Sequence, residues 1–170
     1  MSANRGKYAE AKVRIILKEI EEENLRFTFN RIQDAHAARG VFASQAGDFE
    51  WFFDTGKIAG LPVDGGGSIA VPFTLNGVLE VKETEHAFRL AHKNFSADKV
   101  ARMRKRQLAG SQPLVLICHR VYGGDTPTVW RPVEFDYFLQ REGGSWDLSD
   151  WPTYTQKELP ALLRQLLLNP

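Results

Sequence analysis

Gly47-Asp48-Phe49-Glu50 and Val78-Leu79-Glu80-Val81-Lys82 are two short segments joined through a glycine-rich stretch. In the second, Leu79 and Val81 alternate with Glu80 and Lys82. An extended backbone therefore turns the apolar pair to one face and the charged pair to the other. The first opens a run in which Phe49, Trp51 and Phe53 share a face opposite Asp48 and Glu50. Two carboxylates and an amine are thus expected on neighbouring strands of one sheet, and the remaining elements are read around them.

Upstream, residues 7–23 carry Ala9, Val13, Ile16, Leu17 and Ile20 at helical spacing, with Lys12, Lys18, Glu19 and Glu22 on the other side. Residues 25–32 (LRFTFNRI) alternate as a half-buried strand, and 34–46 read as irregular. Residues 55–76 hold two prolines and Gly65-Gly66-Gly67, which marks an inserted glycine-rich hairpin or loop between the two acidic strands. Downstream, Ser96 is placed to cap a helix over 97–108 that Gly110 ends. Residues 113–119 (PLVLICH) form a continuous apolar run, as in a strand buried on both faces. Strand, helix and strand over 78–119 suit a crossover onto a parallel neighbour. A strand near 129–133, a helical turn with Phe135 and Phe138, and an amphipathic helix over 155–168 complete a single α/β domain whose leading elements run in the order αβββαβ.

Composition sets bounds on function. With 170 residues, 43% of them hydrophobic, the chain suits one domain. The apolar run 114–118 is far too short to span a bilayer, and the first five residues contain no apolar signal region, so a cytoplasmic location without membrane association is expected. The lone Cys118 excludes an intrachain disulfide. His86, His92, Cys118 and His119 lack the paired close spacing of a zinc site, and Gly65-Gly66-Gly67-Ser68 lacks the Gly-Lys-Ser/Thr ending of a phosphate-binding loop. The net charge of +1 hides an acidic block at Glu19 and 21–23 and a basic one at Lys99, Arg102, Arg104, Lys105 and Arg106.

Those features fit phosphodiester hydrolysis. The reaction needs a nucleophilic water, neutralisation of charge on the phosphate and help for the leaving oxygen, all of which a Mg²⁺ or Mn²⁺ ion can supply. Mg²⁺ keeps several waters and is satisfied by one or two carboxylates and a carbonyl, here Asp48, Glu80 and the backbone of Val81. Lys82 is assigned to the scissile phosphate or the attacking water. Glu10 lies on the otherwise apolar stripe of the first helix and needs a partner: a metal, its water or a basic residue at the site, or else solvent at the first turn. Lys99, Arg102 and Arg106 form one basic stripe, either a solvated face or a set of phosphate contacts. With Lys105, Arg5 and Lys7 they make up the expected DNA-binding set.

The order of elements, with Asp48 as the motif Asp, Glu80 as the (D/E) and Lys82 as the Lys, resembles the PD-(D/E)XK nuclease superfamily, which implies its restriction-endonuclease-like core, a mixed β-sheet flanked by helices. Asp34, Gly47-Asp48-Phe49, the run 79–84 (LEVKET) and the basic helix leading into 114–119 narrow this to a resemblance to RecU-type and phage-encoded Holliday-junction resolvases. The resemblance covers roughly residues 6–140. It implies a metal-dependent endonuclease that cuts four-way DNA junctions as a homodimer, with Glu10 as the helix-borne acid. Two departures stand out. The interval between Asp48 and Glu80 is longer than the usual compact hairpin, which makes Asp54 and Asp64 rivals to Asp48, and Lys99 stands where many relatives have Gln. Asp48 is preferred because it begins an alternating strand, whereas Asp64 abuts three glycines. Related repair, recombination or restriction-type endonucleases and a catalytically silent DNA-binding module are the alternatives.

Overall fold

The computed structural model describes residues 7–32, 47–123 and 125–169. Its elements in chain order are α1 (Lys7–Glu23), β1 (Phe27–Arg31), β2 (Phe49–Val63), β3 (Gly67–Thr84), β4 (Arg89–Ala91), α2 (Ala97–Leu108), β5 (Gln112–His119), β6 (Val129–Glu134), β7 (Ser145–Asp147), β8 (Tyr154–Thr155) and α3 (Leu159–Leu168). Short 3₁₀ turns occupy His92–Asn94 and Phe135–Leu139. A six-stranded mixed sheet in the order β1-β2-β3-β5-β6-β8 organises the molecule, and β4 and β7 pair in a separate two-stranded sheet. The expected segments at 34–46, with Asp34, and at Arg5 lie outside the described residues.

Period-2 alternation assigns the two faces of the sheet to two cores. Phe49, Trp51, Leu79, Val81, Leu116, Cys118 and Trp130 point to the side covered by α1 and α3, where they meet the predicted stripe of α1 and Leu159, Leu162, Leu163 and Leu167. Val78, Val115, Ile117 and Val133 point to the other side and pack with Val100 and Met103 of α2, with Phe95, Phe135 and Phe138, and with Trp146 of β7. β5 lies parallel to β3 and antiparallel to β6, so the chain from 78 to 119 is the crossover its hydrophobic pattern suggested. Helix α2 begins at Ser96, whose hydroxyl accepts the Lys99 N–H at 3.3 Å, and Gly110 follows its end.

One expectation is made specific, one is modified and one element is new. The 55–76 insertion is a two-stranded antiparallel ribbon continuous with β2 and β3, with a turn at 64–66 and an irregularity between Asp54 and Ile58. Pro62 and Pro72 are tolerated there because each ribbon strand has a free edge for the missing N–H. The C-terminal helix starts at Leu159 rather than at 155, because Thr155 is recruited to β8 beside Val129 and gives its N–H and hydroxyl to the Glu158 carboxylate at 2.7 and 2.8 Å. The small β4-β7 sheet was not expected; it carries Leu90 and Trp146 into the α2-side core.

One glycine sets the central pairing. Gly77 faces Trp51 across β2 and β3, and a Cβ there would come within 2.5 Å of the Trp51 indole nitrogen and 2.2 Å of the Gln112 carbonyl. A side chain at this point would force apart the strands that carry the two acidic segments, a distortion of about 1–3 kcal/mol or more.

Candidate active site

β2 and β3 part company at the Phe49–Leu79 pair, and the acidic cluster is built where they separate. Gly47 enters with φ +93°, a left-handed conformation that leaves room against Val78 and delivers Asp48 beside β3. The Asp48 N–H donates to the Leu79 carbonyl at 2.9 Å. Its side chain then takes over where the strand stops, with Oδ2 accepting the Val81 N–H at 2.7 Å. An extended residue turns its N–H and C=O to the same edge, so the Val81 carbonyl looks toward the side from which Asp48 approaches. Glu80 projects from the opposite face, toward α2, and is 0% exposed. Lys82, one residue pair farther on the same face, closes an ion pair with Glu80 Oε1.

Lys99 reaches into this cluster from the first turn of α2. Its Nζ lies 2.7 Å from Glu80 Oε2 and 3.3 Å from Asp48 Oδ1, so one ammonium bridges both carboxylates. Burial pushes the Glu80 carboxyl above its ordinary range and the Asp48 charge adds to that, against the pull of Lys82 and Lys99. Burial opposes the charge on Lys99, yet Glu80 and Asp48 outweigh it and its pKa is raised. Two carboxylates thus face two ammoniums in a charge-balanced centre.

Among the described residues Glu10 meets Arg31 rather than the acidic centre. Its carboxylate, 28% exposed, pairs with Arg31 of β1 at 3.2 Å, which answers the need for a partner with a basic residue. It nevertheless lines a cleft of about 520 Å³ together with Val81 and Lys82, so α1 and the charged strand border one space. Glu83 stands at the same end of β3. It accepts the Tyr122 hydroxyl and lies 3.4 Å from the Ala9 N–H of α1. The Arg120 guanidinium sits between the rings of Tyr8 and Tyr122, at 3.9 and 4.6 Å.

The expected basic stripe is divided. Lys99 turns inward to the acidic pair, Arg106 folds onto Glu50 of β2 at 2.6 Å, and Arg102 pairs with Asp98 one helical turn away at 3.1 Å. Lys105 and Lys7 are exposed. Asp54 accepts the Gly56 N–H at 2.9 Å in the ribbon irregularity, and Asp64 sits in the ribbon turn, so neither rival acid joins Glu80. Lys99 and Arg31 are the members of this region whose roles the sequence reading did not anticipate. Ser96 capping could have flagged Lys99, because it sets the helix phase that aims Lys99 at the sheet.

Among the described residues no group of three or more His, Cys, Asp and Glu is gathered for a metal. The pair present is still a hard-oxygen set: both Glu80 oxygens are buried and, although close to ammoniums, take part in no well-formed hydrogen bond. Asp48, Glu80 and the Val81 carbonyl fit the oxygen preference of a Mg²⁺-type ion, with Lys99 as the cation it must displace. No protein-family model matches the chain, and no curated protein is significantly similar to it.

Proposed function

We propose that the chain is a divalent-metal-dependent DNA endonuclease with a restriction-endonuclease-like core, and more narrowly a structure-selective enzyme that resolves four-way junctions as a homodimer. The observation that carries this is the convergence of Asp48, Glu80 and Lys82 where β2 leaves β3, with the Asp48 carboxylate on the Val81 N–H. The mixed sheet and the β3-α2-β5 crossover support the same core.

Asp48, Glu80 and the Val81 carbonyl would hold Mg²⁺ or Mn²⁺, which when bound would supply Lewis acidity and a more acidic water. Lys82, partly exposed at the cleft, neutralises the scissile phosphate and aligns the attacking water. Lys99, which bridges the two carboxylates, would be the cation such an ion replaces and would lie beside the phosphate. Lys105, Lys7 and the neighbouring arginines contact the DNA backbone without reading sequence. Cutting two opposed strands of a junction calls for two symmetry-related sites, hence a two-fold dimer. The β2–β3 ribbon, with Ile58, Leu61, Ile69 and Phe73 exposed, is suited to reach the junction centre or the second protomer.

The bridging position of Lys99 favours one other reading, a silent DNA-binding module whose carboxylates are permanently neutralised. Incubation of labelled four-way junction and linear duplex with the protein, with and without Mg²⁺, separates them. Metal-dependent paired cuts in the junction are expected. Cutting of both substrates alike reduces the proposal to a general nuclease, and binding without cutting under Mg²⁺ or Mn²⁺ overturns the catalytic reading.

A further inference from the structure

Arg131 lies in the middle of β6 between Val129 and Val133, and it is 4% exposed. Its Cα partner on β5 is Ile117, whose own partner on β3 is Lys82. Paired residues share a face, so Lys82, Ile117 and Arg131 form a row across the α2 side of the sheet, with Arg131 two strand spacings, about 10 Å, from Lys82. On this face the buried Glu80 is answered by the ammoniums of Lys82 and Lys99, whereas the Nε and Nη1 of Arg131 are buried with no hydrogen-bond partner among the described residues. Its nearest compensation is the Phe88 ring, 5.4 Å from the guanidinium carbon.

An ionised fork of donors held out of water without an acceptor destabilises a fold. The acceptor can come from outside, because Arg131 borders a second cavity of about 520 Å³, distinct from the cleft at Lys82. His86 lines the cleft, and Phe88, two residues on, lines the Arg131 cavity. Among the described residues no Asp or Glu lines this second cavity, so the Arg131 charge faces no lining carboxylate. The hydroxyl-bearing Thr126, Ser149 and Thr153 offer further donors, and Phe88 and Trp151 contribute flat apolar walls.

A guanidinium fork with hydroxyl donors matches a phosphate, and aromatic walls match a planar body attached to it. We infer that the Arg131 cavity is a binding site for the phosphate group of a nucleotide, supplied either as a free mononucleotide or as part of a DNA strand. The site rests on the pocket alone and does not require that the carboxylate centre cleave DNA.

The full chain in chelator-containing buffer, without divalent metal, is titrated with deoxyadenosine 5′-monophosphate, deoxyadenosine, inorganic phosphate and a short single-stranded oligonucleotide. Calorimetry and thermal unfolding are the readouts. Wild type is expected to bind the monophosphate and gain thermal stability, with little response to deoxyadenosine. Arg131→Met is expected to fold at least as stably as wild type without ligand, because a buried unpaired charge is replaced by an apolar chain of similar length. It should weaken binding by roughly 10- to 100-fold, the weight of a lost bidentate charge-assisted contact. Arg131→Lys, which keeps the charge and loses the fork, should fall between the two and serves if the methionine variant does not fold. Stronger binding of the oligonucleotide than of the monophosphate assigns the site to a strand, and the reverse assigns it to a free nucleotide; either supports the inference. Equal responses to deoxyadenosine and its monophosphate, no response to any phosphate probe, or an undiminished response in both variants overturns it.

Discussion

Lys99 and Arg131 are both cations withdrawn from solvent against the same face of the same sheet, and their surroundings are opposites. Lys99 has two carboxylates within 3.3 Å, and they hold its pKa up in spite of burial. Arg131 has no acceptor at Nε or Nη1, and burial alone pulls its pKa down. Charge balance at a buried cation shows whether the chain has completed a site by itself. The Lys99 centre is charge-balanced as folded, whereas the Arg131 cavity has no carboxylate among the described residues that line it.

The comparison breaks most visibly if the carboxylates opposite Lys99 can be neutralised without consequence. Asp48→Asn and Glu80→Gln should each lower metal-dependent cleavage by on the order of 10²- to 10³-fold, with DNA binding kept, since each removes an ionic oxygen ligand but none of the exposed basic surface. Asp54→Asn and Asp64→Asn should cut at close to wild-type rates, as their side chains belong to the ribbon. Single-turnover cleavage of a labelled junction reads all four. Near-normal rates in both Asp48→Asn and Glu80→Gln would remove the carboxylate centre from the chemistry.

Much of this centre was legible because its geometry is local. The period-2 pattern of 78–82 separates Glu80 and Lys82 from Leu79 and Val81 without knowledge of any other strand, and Ser96 and Gly110 bound α2 by capping rules that act within a turn. The buried strand at 113–119 followed from its unbroken apolar run. What stayed hidden depends on distant pairings. The 99, 102, 106 spacing is the same whether these side chains face water or sheet; Lys99 and Arg106 turn down because Asp48, Glu80 and Glu50 wait beneath them. The Glu10–Arg31 pair joins a helix to an edge strand that sequence alone does not bring together. Arg131 drew no notice, although its place between Val129 and Val133 in an alternating strand is a readable sign of a charge turned toward a core.

Arg102, half-buried, and Arg106, exposed, sharpen the comparison from the other side, as cations that already have intramolecular partners. Replacing both with Ala should weaken DNA binding only modestly. Each phosphate contact actually made contributes about 0.9 to the slope of log affinity against log salt, so a drop of well under about 1.8, the value for two full contacts, is expected. Binding measured over a series of salt concentrations gives the number. A slope reduced by the full value for two contacts would mean that both arginines leave Asp98 and Glu50 when DNA arrives.

The exchange of Lys99 for a divalent cation is the claim on which the catalytic account turns, and a Mn²⁺ binding isotherm tests it most directly. Calorimetry on wild type, Asp48→Asn and Lys99→Gln, each freed of metal and held at one pH, should give saturable binding in wild type. It should give loss of that binding in Asp48→Asn, and binding tighter by roughly tenfold or more in Lys99→Gln, where no ammonium competes for the carboxylates. Binding in Asp48→Asn as tight as in wild type, or no saturable Mn²⁺ site in either wild type or Lys99→Gln, would contradict the account.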